Sequence, residues 1–140
     1  MINLDNLNRQ HVNINKEIKY IVNEIKKGRA DIDTAEAALH ISRLAGLLRI
    51  HLLEEDKFLY PDLLKCSDEA IRDLTKQYIA EMGNLATEYT EFKNSYNTSF
   101  KIKNDIDNFL IEADQILKAL SNRLSKEDRE LYHLIAERKL

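Results

Sequence analysis

An all-α chain, folded as an antiparallel up-down-up-down bundle of four helices, is expected from three features of the sequence. Apolar residues recur at three- and four-residue steps through four separate stretches. Chain breakers are scarce, with three Gly and one Pro among 140 residues. The breaks between stretches are short, so consecutive helices must fold back and bury their apolar faces together. A chain of this length buries roughly two thirds of the surface its unfolded form exposes, so residues 1–140 are expected to form a single domain.

The first helix is expected over residues 5–27. Leu4, Leu7, His11, Ile14, Ile18, Ile21 and Ile25 mark its inner face, and Gly28 after Lys26-Lys27 is a stop. The second starts near Asp33 or Thr34, either of which can cap it. Its inward series runs Ala38, Ile41, Leu44, Ala45, Leu48, His51, Leu52, Glu55, Phe58 and Leu59, and Pro61 is expected to end it. Ser67 before Glu69-Ala70 reads as the cap of a third helix, which carries Ile71, Leu74, Tyr78, Met82, Leu85, Tyr89 and Phe92 to about residue 96. Adjacent Met82 and Gly83 point to close helix contact there. The polar stretch Asn94 to Ser99 is the clearest loop. A fourth helix follows with Ile106, Phe109, Ala113, Ile116, Leu120, Arg123, Glu127 and Leu131 inward, and Ser125 with Asp128 forms a capping pair able to interrupt it.

Bulk composition excludes several functional classes. The formal charge is −3, from 21 basic and 24 acidic residues mixed along the chain, so no basic stripe is available for nucleic acid. Cys66 is the single cysteine, which rules out an internal disulfide and a cysteine metal site. No secretion signal and no apolar run near the ~20 residues that span a bilayer are present, so a cytoplasmic location away from membranes is expected. There is no Gly-rich phosphate loop, no Ser/His/Asp nucleophile pattern and no zinc-ligand spacing, and an enzyme is not expected.

The anomaly lies in polar residues at inward positions: His11 on the first helix, His51 and Glu55 on the second, Arg123 and Glu127 on the fourth. Unpaired buried charge is costly, so these groups should meet each other or a metal ion. His51 and Glu55 stand four residues apart, one above the other on a helix face, and can converge on one point.

Context sharpens this. The run His51-Leu52-Leu53-Glu54-Glu55, continuing to Leu59-Tyr60-Pro61, resembles the H-x-x-x-E-E…LYP signature of the hemerythrin-like (HHE cation-binding) family. Arg123 to Glu127-Asp128, continuing to Leu131-Tyr132, is similar to its second copy, and His11 sits where the family places its first-helix histidine. The resemblance implies a four-helix bundle around a non-haem di-iron centre that binds dioxygen or serves sensing, storage or repair. It implies His11, His51, Glu55 and Glu127 as ligands, the two carboxylates bridging. Three family positions are not matched. The third helix offers Tyr78 and Met82 in place of two histidines, with Glu81 the nearest hard ligand, and the fourth offers Arg123 in place of another.

Two outcomes follow for this depleted set. Arg123 cannot lose its proton and has a donor fork suited to carboxylates, so it could replace the metal in a network with Glu55 and Glu127. Alternatively His11, His51, Glu55, Glu127 and Glu81 keep one or two iron ions, with Tyr78 as an oxygen ligand. The implied functions are a binding or sensing module with iron and dioxygen or a related small ligand, a metal-free module that meets a protein partner or a second copy, and an iron enzyme handling peroxide or nitric oxide. His40, His133, Glu54, Asp56 and Asp128 read as solvated or satisfied groups. Tyr60 and Tyr132, at equivalent places in the two copies, read as bundle-end packing with wet hydroxyls.

Overall fold

The computed structural model describes residues 2–140, and every regular element among them is helical. Four long segments dominate: α1 (Asp5–Lys26), α3 (Thr34–Glu54), α5 (Glu69–Tyr96) and α7 (Ile106–Lys126). Short helices α2 (Gly28–Asp31), α4 (Tyr60–Lys65), α6 (Ser99–Asn104) and α8 (His133–Glu137) link or extend them. The segment α1 packs on α3 and α7, and α5 packs on the same two.

Local chemistry sets most boundaries. Gly28 stands at φ 80°, in the left-handed region that a side chain disfavours, and ends α1 after its basic last turn. Asp33 caps α3 by accepting from Glu36 N at 3.1 Å. Asp68, rather than the expected Ser67, caps α5 by accepting from Ala70 N and Ile71 N. Thr98 caps α6 and gives the expected polar loop its structure, while Asp105 breaks the chain before α7. Gly83 faces open space rather than a neighbouring helix.

The stop expected at Pro61 and the break left open at Ser125 both take another form. The second helix does not stop at Pro61 and the fourth does not break at Ser125. Each instead passes through a π-helical turn, Glu55–Leu59 and Glu127–Tyr132, and continues as α4 and α8. A π turn takes in one extra residue, which lets the chain run past Pro61, whose ring would clash with a regular preceding turn. The slip turns Phe58 outward, 62 % exposed, leaves Leu59 inward as expected and brings Tyr60 into the core.

The core is divided. One apolar cluster holds Ile14 to Ile21, Ala37 to Leu48, Met82 to Tyr96 and Phe109 to Leu124. A second holds Leu7, Leu59 to Leu63, Ile71, Tyr78 and Leu131 to Ile135. In α1, the α3–α4 segment and the α7–α8 segment, the residues at the division are polar and buried: His11, His51 with Glu55, and Glu127. On α5 they are Tyr78 and Met82. Among the described residues no helix is long and apolar enough to cross a membrane.

Candidate metal centre

His11, His51, Glu55 and Glu127 are brought together in the layer between the clusters, at 3 %, 0 %, 0 % and 0 % exposure. His11 Nε2 lies 3.0 Å from His51 Nε2 and 3.0 Å from Glu127 Oε1, and His51 Nε2 lies 3.3 Å from that same oxygen. Glu55 Oε1 is 3.2 Å from His51 Nε2. Both carboxylates stand on the first residue of their π turns, so the widened helix presents them to the layer.

The far ring edges are already committed. His11 Nδ1 donates to Asp128 Oδ1 at 2.7 Å. His51 Nδ1 donates to Gln10 Oε1 at 2.8 Å, and Gln10 presents that oxygen because its amide nitrogen donates to Glu54. With both Nδ1 protons in use, neutral rings turn bare Nε2 atoms toward the Glu127 oxygen. Three acceptors within 3.0–3.3 Å of one another repel unless a cation or a proton joins them. Glu55 Oε1 and Glu127 Oε2 are also buried without a hydrogen-bond partner.

His51 carries a positive charge in the metal-free layer. Burial opposes protonation of its ring, but the adjacent Glu127 and Glu55 carboxylates prevail and raise its pKa to about 9. Burial and the Glu127 charge push the Glu55 carboxyl up to about 7, against the pull of His51. Burial works to raise Glu127 too, yet the His11, His51 and Glu55 side chains beside it hold it well below the usual carboxylate range. A proton on His51 thus occupies the place a metal ion would take.

Arg123 does not join this network as an ion pair with Glu55 or Glu127. Its guanidinium pairs with the half-exposed Glu81 and lies over the Tyr78 ring, 4.0 Å from the centroid. Arg123 sits one turn before Glu127 on α7, and its long stem carries the head across to α5. Glu81 is therefore held by Arg123, apart from the four buried groups. Tyr78 is not placed as an oxygen ligand, because its hydroxyl donates to Lys126 O at 3.0 Å and Glu130 Oε2 at 3.1 Å.

The two motif tyrosines belong to the centre, contrary to the wet bundle-end role expected of them. Tyr132 Oη donates to Glu55 Oε2 at 3.0 Å, and its ring stacks on His11 with centroids 5.0 Å apart. Tyr60 is buried with a hydroxyl that has no partner. Burial and the nearby carboxylates raise both phenols far above their ordinary value, so both keep their protons. Gln10, Glu54 and Asp128 are further members that the sequence reading missed. The signal available was adjacency, since Gln10 precedes His11, Glu54 precedes Glu55 and Asp128 follows Glu127. His40 is satisfied elsewhere, 2.5 Å from Glu17 Oε2 and stacked on Tyr20, and His133 is exposed.

The donor set fits a metal ion. Donor distances of roughly 2.1 Å at right angles put neighbouring ligands about 3.0 Å apart. The triangle of His11, His51 and Glu127 has edges of 3.0, 3.0 and 3.3 Å, one face of such an octahedron. Two histidines and one carboxylate on a face are a set used by non-haem iron(II). The family model described as "Hemerythrin HHE cation binding domain" matches residues 3–135. No curated protein and no solved structure matches the chain.

Proposed function

Since the chain belongs to the hemerythrin HHE cation-binding domain family, we propose that it is a binding or sensing module that holds one non-haem iron ion. His11, His51 and Glu127 supply the face, and Glu55 the fourth donor. The observation that carries this reading is the convergence of two Nε2 atoms and one carboxylate oxygen whose outer partners are fixed. Iron bound this way supplies a redox-active centre with open positions for dioxygen or a related small ligand.

The residues divide the remaining work. Asp128 and Gln10 hold the two imidazoles with Nε2 inward, and Tyr132 holds one Glu55 oxygen so that the other is free for the ion. Apolar clusters on both sides keep bulk water away. One ion, rather than two, follows from the α5 side. There Tyr78 and Met82 replace nitrogen donors, and the fixed positive charge of Arg123 disfavours a second cation nearby.

We read the chain as a single up-down-up-down four-helix domain. The order in which the long segments cross between the clusters supports this: α1 from the second cluster to the first, α3 back, α5 forward and α7 back. The module is proposed as a binder rather than an enzyme.

Anaerobic calorimetric titration with iron(II) tests the function. The unmodified chain should bind one ion, and His51→Ala should remove binding while remaining helical by circular dichroism. Equal uptake by both would exclude this site. A metal-free interaction module is the second reading, favoured by the exposed Ile50, Leu53 and Phe58 on one stretch of chain. Its mark is partner binding unaffected by chelators.

A further inference from the structure

A buried centre needs a way in, and the surface cavities differ in what they touch. Those between α5 and α7, around Phe92 and Ile116, and between α1 and α7, around Val22 and Leu110, meet none of the four central groups. A cavity of about 420 Å³ between α1 and the second π turn with α8 is lined by His11, Asp128 and Tyr132, together with Asn8, Asn15 and His133.

Within that cavity His11 forms a thin wall. One edge of its ring carries Nδ1, bonded to Asp128 at 2.7 Å, and the opposite edge carries Nε2, 3.0 Å from both His51 Nε2 and Glu127 Oε1. Asp128 spans the boundary, with 45 % of its side chain in solvent and one oxygen on the buried ring. The wall is one imidazole thick. We propose that this cavity is the mouth through which the metal ion reaches the layer, with Asp128 as its first ligand and the His11 ring as the door.

This rests on the metal-binding reading above and adds a route to it. A divalent cation approaching the surface meets the Asp128 carboxylate, with amide oxygens of Asn8 and Asn15 and the imidazole of His133 around it. Capture of the cation by Asp128 frees His11 Nδ1, and a swing of the ring on its Cα–Cβ bond opens the layer behind it. The ring then returns with Nε2 on the ion. Asp128 and Tyr132, which flank the ring, both stand on the second π turn.

Uptake of cobalt(II) by the metal-free full chain, followed by stopped-flow visible absorbance, tests the route. Ala136→Trp places a large ring over the mouth from the α8 side, and Val12→Trp does so from α1; both positions are exposed. Each should slow uptake and chelator-driven release at least tenfold, with unchanged stoichiometry and affinity. Ala86→Trp, in the cavity between α3 and α5, is the control and should match the unmodified chain. Asp128→Asn should slow uptake and flatten its dependence on ionic strength. Unchanged rates in both mouth variants, or equal slowing in the control, would overturn the route while leaving the metal site intact. An unmodified chain that takes up no cobalt overturns the metal reading and the route together.

Discussion

His51 links proton and metal chemistry in one side chain. Its pKa of about 9 in the metal-free chain means that an ion entering at neutral pH displaces a proton. A raised folded-state value makes the competition strongest at low pH. Apparent affinity should therefore rise about tenfold per pH unit from pH 7 until the ring is neutral near pH 9. Titrations at fixed ionic strength across that window check this, and an affinity independent of pH would mean the ion does not use His51. Gln10→Leu should weaken metal binding about 10- to 100-fold without touching a ligand, because the outer partner of a metal-bound imidazole sets its orientation and basicity. Tyr132→Phe leaves Glu55 Oε2 buried without its donor and should cost the metal-free protein about 1–3 kcal/mol in urea unfolding.

The two π turns explain both what the periodicity predicted and where it failed. His11 and His51 were legible as inward because they lie on regular helix, and Glu55 and Glu127 because each opens its π turn, before the count slips. Beyond Glu55 the count slips by one, so Phe58, inward by regular spacing, is exposed, and Tyr60 enters the core. The expected stop at Pro61 failed for the same reason, since the extra residue relieves the clash that proline causes in an α-helix. Arg123 was legible as inward, but its reach was not: a long flexible stem let the guanidinium choose Glu81 and the Tyr78 face, with its Nε and Nη2 buried and unpartnered. Helix ends were easier to place, although Asp68 outcompetes Ser67 as the α5 cap. Asp68 also pairs with Arg138 near the C-terminus. Asp68→Ala should therefore destabilise the fold more than Asp33→Ala, which loses a cap of about 1 kcal/mol, when both are compared by chemical denaturation.

Considered as a molecule, the chain places a polar layer between two apolar clusters and carries the cost of that layer in its metal-free state. Buried carboxylate oxygens without partners, and a histidine that holds an extra proton, are the sites of that cost. Metal binding should remove it. Ligand present at a hundredfold excess over its Kd stabilises the folded state by about 2.7 kcal/mol, a rise in Tm on the order of 10 °C for a domain of this size. The overall helical organisation was legible from periodicity and scarce breakers, because four amphipathic segments with short joints leave few ways to bury their faces. The number of ions was not, since it depends on which side chains fill the α5 side of the layer, and Tyr78 can point its hydroxyl toward the layer or, as here, toward Lys126 O. Arg123→His, which swaps the fixed cation for a neutral donor, should strengthen metal binding or admit a second ion.

Elemental analysis of protein reconstituted anaerobically with iron(II) and freed of loose metal, run beside His51→Ala and Arg123→His, decides between these states of the layer. One iron per chain in the unmodified protein, none in His51→Ala and one or more in Arg123→His is the predicted result. No iron in the unmodified protein would contradict it, and would leave the His51 proton as the permanent occupant of the centre.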